Sequence, residues 1–156
     1  MFNKSSLCKF LVEAKKATYA SGNQSIKKIN PDKSTTIVYK IGDWKYHDNY
    51  FGGEPYGGRE VVFYKNNPLY IMTYYGSVDS KVKNIDNIYT VLMNALKLIP
   101  LEHPFRGPKK YTEDEYVYTN KFKGKVDKFS GNEKISKNGA ILYKASYMGG
   151  LVNQRK

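Results

Sequence analysis

Two glutamates stand in closely similar settings. Gly58-x-Glu60 is followed by Leu69-Tyr70 and Tyr74-x-Gly76, and Gly131-x-Glu133 by Leu142-Tyr143 and Tyr147-x-Gly149. Three kinds of chemistry fit such a pair. Two carboxylates within glycosidase-like reach of one another would act as acid and base on a substrate between them. Carboxylates set among aromatic rings would hold a cation or a hydrogen-bond donor. Or each simply accepts bonds from tyrosine hydroxyls, backbone amides or lysines, as polar groups in folded proteins generally do. No nucleophile elbow accompanies them, and no Cys or His spacing suggests a metal. The two histidines, His47 and His103, are far apart. The residues therefore give no catalytic set, no metal and no cofactor. They give a candidate ligand-binding set: Trp44, Tyr46, Glu60, Tyr74, Arg106, Tyr118, Glu133 and Tyr147.

Arg106 sits in the proline-punctuated segment Pro100–Pro108, where it can anchor a carboxylate or phosphate, or pair with Glu102 or one of the two glutamates. The glycine-dense stretch Gly52–Gly58 lacks the Lys-Ser/Thr of a phosphate loop and does not open a helix. It reads as a β-loop that needs positive φ.

The elements that must position these groups recur along the chain. Trp44–Gly52 matches Tyr116–Gly124 in type and spacing. Phe10-Leu11-Val12-x-Ala14 precedes the first copy, and Val91-Leu92-Met93-x-Ala95 the second. The repeat spans are about 5–78 and 85–151. Leu7, Phe10, Leu11, Ala14 and Ala17 predict a helix over 5–18 capped by Ser5 or Ser6, and Ile88 to Leu96 one over 85–98 with Asp86 as a cap. A polar connection fills 20–35. Strands are predicted at 36–41, 44–51, 59–65, 69–75, 115–122, 126–130, 132–137 and 140–148, with a primed hairpin turn at Asn138-Gly139. The class is α+β, an internally duplicated helix-plus-antiparallel-strands unit with pseudo-twofold symmetry. Strand alternation places Tyr46, Asp48, Glu60, Tyr74, Tyr118, Glu133 and Tyr147 on the inward face, and His47 on the other.

At 156 residues the chain is one domain large enough to bury a core without metal or disulfide, and its single Cys8 reads as a small buried hydrophobe. No stretch is long and apolar enough for a spanning helix or a secretory leader, so a cytoplasmic bacterial-type protein with no membrane partner is expected. The net charge of +12 is nearly all lysine, with only Arg59, Arg106 and Arg155 as arginines. Such lysine, spread along the sequence, reads as a solvated surface rather than a base-reading patch. Sequence-specific nucleic-acid binding is not expected. A nucleic-acid role requires the lysines to gather on one face.

At Tyr50-Phe51-Gly52-Gly53-Glu54, Gly58-x-Glu60-Val61-Val62, Tyr74-Tyr75-Gly76, Pro104-Phe105-Arg106-Gly107-Pro108 and Phe129-Ser130-Gly131-x-Glu133, the chain resembles a bacterial domain-of-unknown-function family, number 5680. The opening Phe10–Tyr19 helix looks like the family's own. Members occur alone and behind XRE-type helix-turn-helix domains. The resemblance thus implies a sensing or regulatory module with no established activity. This sequence has no helix-turn-helix of its own. The favoured reading is a non-catalytic module that senses a small molecule or binds a partner. The rivals are a nucleic-acid-associated basic protein and a small hydrolase using the paired glutamates.

Overall fold

The computed structural model describes residues 2–22 and 26–155, so part of the expected 20–35 connection lies outside the described residues. Helix α1 (Lys4–Ala17) opens the chain. Its cap is Asn3, whose side chain accepts from the Ser6 amide at 2.6 Å, rather than Ser5 or Ser6. A short 3-10 turn (Tyr19–Ser21) follows, then strands β1 (Lys28–Ile29), β2 (Thr35–Ile41), β3 (Trp44–Phe51), β4 (Tyr56–Tyr64) and β5 (Asn67–Val78). Helix α2 (Ile85–Leu96) is capped by Asn84, not Asp86, because the Asn84 side chain accepts from the Asp86 amide. Strands β6 (Lys110–Glu113), β7 (Tyr116–Lys125), β8 (Lys128–Lys137) and β9 (Ala140–Leu151) complete the fold.

All nine strands form one antiparallel sheet in the order β1-β2-β3-β4-β5-β9-β8-β7-β6, and with the two helices this is an α+β fold. The strands expected at 126–130 and 132–137 are a single strand. The chain turns earlier, after Gly124 at φ +93°, and Gly131 continues the ladder opposite Phe122. Strands β1 and β6 are additions, four residues or fewer in length, that the sequence pattern did not reveal. The Asn138-Gly139 turn is as expected, with φ of +50° and +80°. Gly52, at φ +81°, closes the glycine loop; a Cβ there would lie 2.3 Å from the Pro55 carbonyl oxygen. Gly57 and Gly58 belong to β4 itself.

Register settles which side chains share a face. Asp48 lies opposite Glu60 and Glu60 opposite Met72, while Asn120 lies opposite Glu133 and Glu133 opposite Ala145. At the centre β5 meets β9 with Tyr74 directly opposite Tyr147. Both helices cover this inner face. Leu7, Phe10, Leu11 and Ala14 of α1 pack with Tyr46, Val62, Tyr70 and Met72, with half-buried Cys8 at the border. Ile88, Val91, Leu92, Ala95 and Leu96 of α2 pack with Tyr118, Ile135, Tyr143 and Ala145. Each cluster removes several large apolar side chains from water, at about 1.5–3 kcal/mol apiece.

Among the described residues no helix lies over the other face, since both pack on the inner one. Charge is sorted between the two faces. The carboxylates borne by strands, Asp48, Glu60, Glu113 and Glu133, all lie on the inner side. Lys28, Lys40, Lys45, Arg59, Lys110, Lys121, Lys123, Lys125, Lys128, Lys134 and Lys144 all take outer positions. Lys137, opposite Tyr116 on the inner side, is the exception.

Candidate functional site

The inner face between the two helices carries charged groups that are normally kept in water. Glu60 and Lys15 are both fully buried, with Lys15 Nζ 2.8 Å from Glu60 Oε2 and donating to the Phe105 carbonyl at 2.7 Å. Lys15 follows Leu11 by four residues on α1, so a lysine occupies a place in the apolar stripe. Burial drives its pKa down, and the Glu60 carboxylate works against that shift. The contact is an ion pair rather than a well-aligned hydrogen bond, and Glu60 Oε1 has no partner at all among the described residues.

The second glutamate is fully provided for. Arg106 donates to Glu133 Oε1 from Nε at 3.0 Å and from its terminal nitrogen at 2.6 Å. Tyr143 donates to the same oxygen at 3.0 Å, and Tyr118 to Oε2 at 2.5 Å. The Gly107 amide donates back to the Tyr118 hydroxyl at 3.0 Å. Asn120 donates to the Gly107 carbonyl and accepts from Tyr147 at 2.7 Å. The hub thereby ties the loop before β6 onto the sheet. Gly131 is required for it, since a Cβ there would lie 2.3 Å from the Tyr147 ring.

Asp48 completes the set. It is 3% exposed, and Tyr74 donates to it at 2.5 Å. Burial first, and then the neighbouring Glu60 charge, raise its pKa from 3.8 to about 7; the Tyr74 bond, Lys15 and Arg106 oppose the rise. Three carboxylates thus share the buried layer with two cations. Lys15 offsets Glu60 and Arg106 offsets Glu133, which leaves Asp48 without a counter-charge among the described residues.

A cavity of about 130 Å³ opens beside these groups, between the sheet and α2. Asp48, Glu60 and Arg106 line it, with Tyr19, Tyr50, Tyr56, Tyr74 and Tyr89 as aromatic walls and Leu92, Met93 and Leu96 as the apolar side. Its volume resembles that of an apolar cavity known to hold benzene, so it fits about six non-hydrogen atoms. The Tyr19 hydroxyl is buried and unpartnered among the described residues, as are those of Tyr46 and Tyr70 in the same half. On the outer rim Tyr89 donates to Glu54 Oε2, and Glu54 Oε1 accepts from the Val78 amide at 2.6 Å.

Of the eight residues singled out from sequence, Glu60, Tyr74 and Arg106 meet at this cavity. Tyr118, Glu133 and Tyr147 form the hub behind Arg106, and Tyr46 is buried in the α1 cluster. Trp44 stacks on Phe10 at 5.3 Å and touches Tyr64, away from the lining. Lys15, Asp48, Tyr19, Tyr56 and Tyr89 were not among the eight. Asp48 was already on the inward face by strand alternation, and Lys15 left a signal as a charge on an apolar stripe. No group of three or more metal-ligating side chains occurs among the described residues, and no helix there is long and apolar enough to cross a membrane.

Comparison with known families gives one result. The model described as Domain of unknown function (DUF5680) matches residues 48–152, so the chain belongs to that family. The matched span contains Asp48, Glu60, Arg106 and Glu133, and leaves out α1 with Lys15. No match was found among curated proteins or among solved structures.

Proposed function

We propose that this member of the DUF5680 family is a non-catalytic binding module whose inner cavity takes a small organic cation, such as a protonated amine or the amine-bearing tip of a larger partner. The observation that carries the reading is the charge imbalance at the cavity. Asp48 has no counter-charge, Glu60 keeps an unpartnered oxygen, and tyrosine rings supply the walls. A cation there supplies the missing charge, donates to free acceptors and lies against aromatic faces. Arg106 does not reverse this preference, because its guanidinium is spent on Glu133. The hydrolase alternative is less well supported. Glu133 sits in a closed hub, accepting from Arg106, Tyr118 and Tyr143, and has no free oxygen for proton transfer.

The same reading treats residues 5–78 and 85–151 as two copies of one unit about a pseudo-twofold through the β5–β9 pair. Its support is the register. Asp48, Glu60, Tyr70 and Tyr74 stand on their strands as Asn120, Glu133, Tyr143 and Tyr147 do on theirs, and Tyr74 faces Tyr147 across the seam.

The test is thermal unfolding with tetramethylammonium, ethylammonium and, as an anion control, acetate. Ligand at free concentration L that binds only the folded state stabilises it by RT ln(1 + L/Kd), so the Tm climbs with ligand concentration. The expected result is stabilisation by the cations, weak at pH 6 and full at pH 8 as Asp48 ionises, and absent in Asp48→Asn. Equal stabilisation by acetate, or none by either cation at pH 8, overturns the proposal.

A further inference from the structure

The helix-free face of the sheet has no part in the cavity, and it is the face on which the lysines gather. Scattered along the sequence, they come together because antiparallel register puts alternate residues of neighbouring strands side by side. Lys134 lies opposite Lys144 and next to Thr119, Lys121 opposite Asn132, and Lys123 opposite Ser130. The same rows contain no aspartate or glutamate. Asp127, in the β7–β8 turn, borders the face but is paired with Lys4. Glu133 borders one hollow, but its carboxylate is held on the other side by Arg106.

This face is recessed. Three adjoining hollows of about 780, 410 and 350 Å³ run across β5, β9, β8 and β7, sharing Thr73, Ser130, Met148, Asn132 and Ser146 along their floor. Between the lysines stand uncovered flat or soft side chains, with Tyr75 60% and Met148 62% exposed. We propose that this groove binds single-stranded nucleic acid without sequence preference. A track of cations matches a phosphate backbone, and an exposed tyrosine offers a stacking surface to any base. Duplex presents no free base faces to such a ring. Arg59 is the only guanidinium on these rows, so the fork that reads base edges is nearly absent. A flat anionic bilayer would touch the rims and leave the recessed floor empty.

The experiment is fluorescence anisotropy of a labelled oligo(dT) about 15 nucleotides long, titrated with full-length protein over a range of salt. Binding should weaken linearly on a log–log plot, by about 0.7 in slope for each phosphate neutralised. The triple reversal Lys121→Glu, Lys134→Glu, Lys144→Glu should weaken binding at least about ten-fold and flatten the slope by about 2. Tyr75→Ala should cost about five-fold or more. Reversal of the helix-borne lysines Lys9 and Lys16 should cost less than about three-fold, since salt screens charges on the far side. Four outcomes overturn the proposal: no binding to oligo(dT) at low salt, tighter binding to a duplex of equal length, capture by phosphatidylserine vesicles but not by oligo(dT), or equal sensitivity to the helix-borne reversals.

Discussion

Around Glu133 every carboxylate oxygen has a donor, and the donors are themselves anchored: Arg106, Tyr118 and Tyr143 on the carboxylate, Gly107 on Tyr118, Tyr147 on Asn120. Around Glu60 the pattern is the reverse. Tyr46 and Tyr70 have hydroxyls with no partner among the described residues, and Glu60 has one free oxygen. Two differences account for much of the contrast. The cation comes from α1 as Lys15 at Glu60, and from the loop before β6 as Arg106 at Glu133. Asp48 lies opposite Glu60, while the uncharged Asn120 lies opposite Glu133. Unpaired buried polarity is costly, and here it gathers around Glu60, whose carboxylate borders the cavity. One half is therefore closed and stabilising. The other retains the polarity that a ligand can use.

The largest effect expected from this contrast is at Glu133. Glu133→Gln leaves Arg106 buried without its charge partner and should cost about 3–5 kcal/mol in urea unfolding. A loss below about 1 kcal/mol would show that the hub is not the closed half.

Asp48→Asn should act in the opposite direction. Folding raises the Asp48 pKa from 3.8 to about 7, so the fold favours the protonated acid. That stability is fully present below the unfolded value and is lost as pH rises through about 7. The asparagine, as at position 120, has no such loss. The variant should match wild type near pH 4 and exceed it at pH 8 by up to about 4 kcal/mol. A constant difference across pH would remove the ionised Asp48 from the account.

Replacing Lys15 and Glu60 together by methionine should be neutral or stabilising by about 1–4 kcal/mol, since an imperfectly bonded buried pair returns little for its desolvation. It should also abolish cation binding. The smallest and sharpest comparison is between two tyrosines. Tyr118→Phe should cost about 1.5–3 kcal/mol, the worth of a hydrogen bond to a charged group, while Tyr46→Phe should cost almost nothing. Equal costs would dissolve the distinction between the halves.

The inward face was legible because period-two alternation holds along most of each strand, breaking after Val62 and Ile135, and the flanking residues are large. Trp44, Tyr46, Asp48, Tyr50, Glu60 and Tyr74 could be placed on one side from spacing alone, and register confirms them. The partner of each glutamate was not legible. Lys15 and Arg106 arrive from a helix and a loop, and which glutamate each reaches depends on how those elements dock. The gathering of lysines had the same origin. Lys121, Lys134 and Lys144 lie on three different strands, and only the β7-β8-β9 pairing makes them neighbours. Strands β1 and β6 escaped notice because segments that short have no periodicity to read.

Strands β5 and β9 join the two ends of the sheet at its centre. Each of these strands is 12 residues long, and nine consecutive pairs, Tyr70–Val78 against Leu151–Tyr143, join them across the middle of the sheet. A chain cut in the connection at 79–84 would turn each strand into a long, unprotected edge, the kind of edge that recruits another strand. The two fragments should therefore find one another and rebuild the sheet when mixed. Either fragment kept alone should pair with its own kind along that edge, as a twofold dimer or an aggregate.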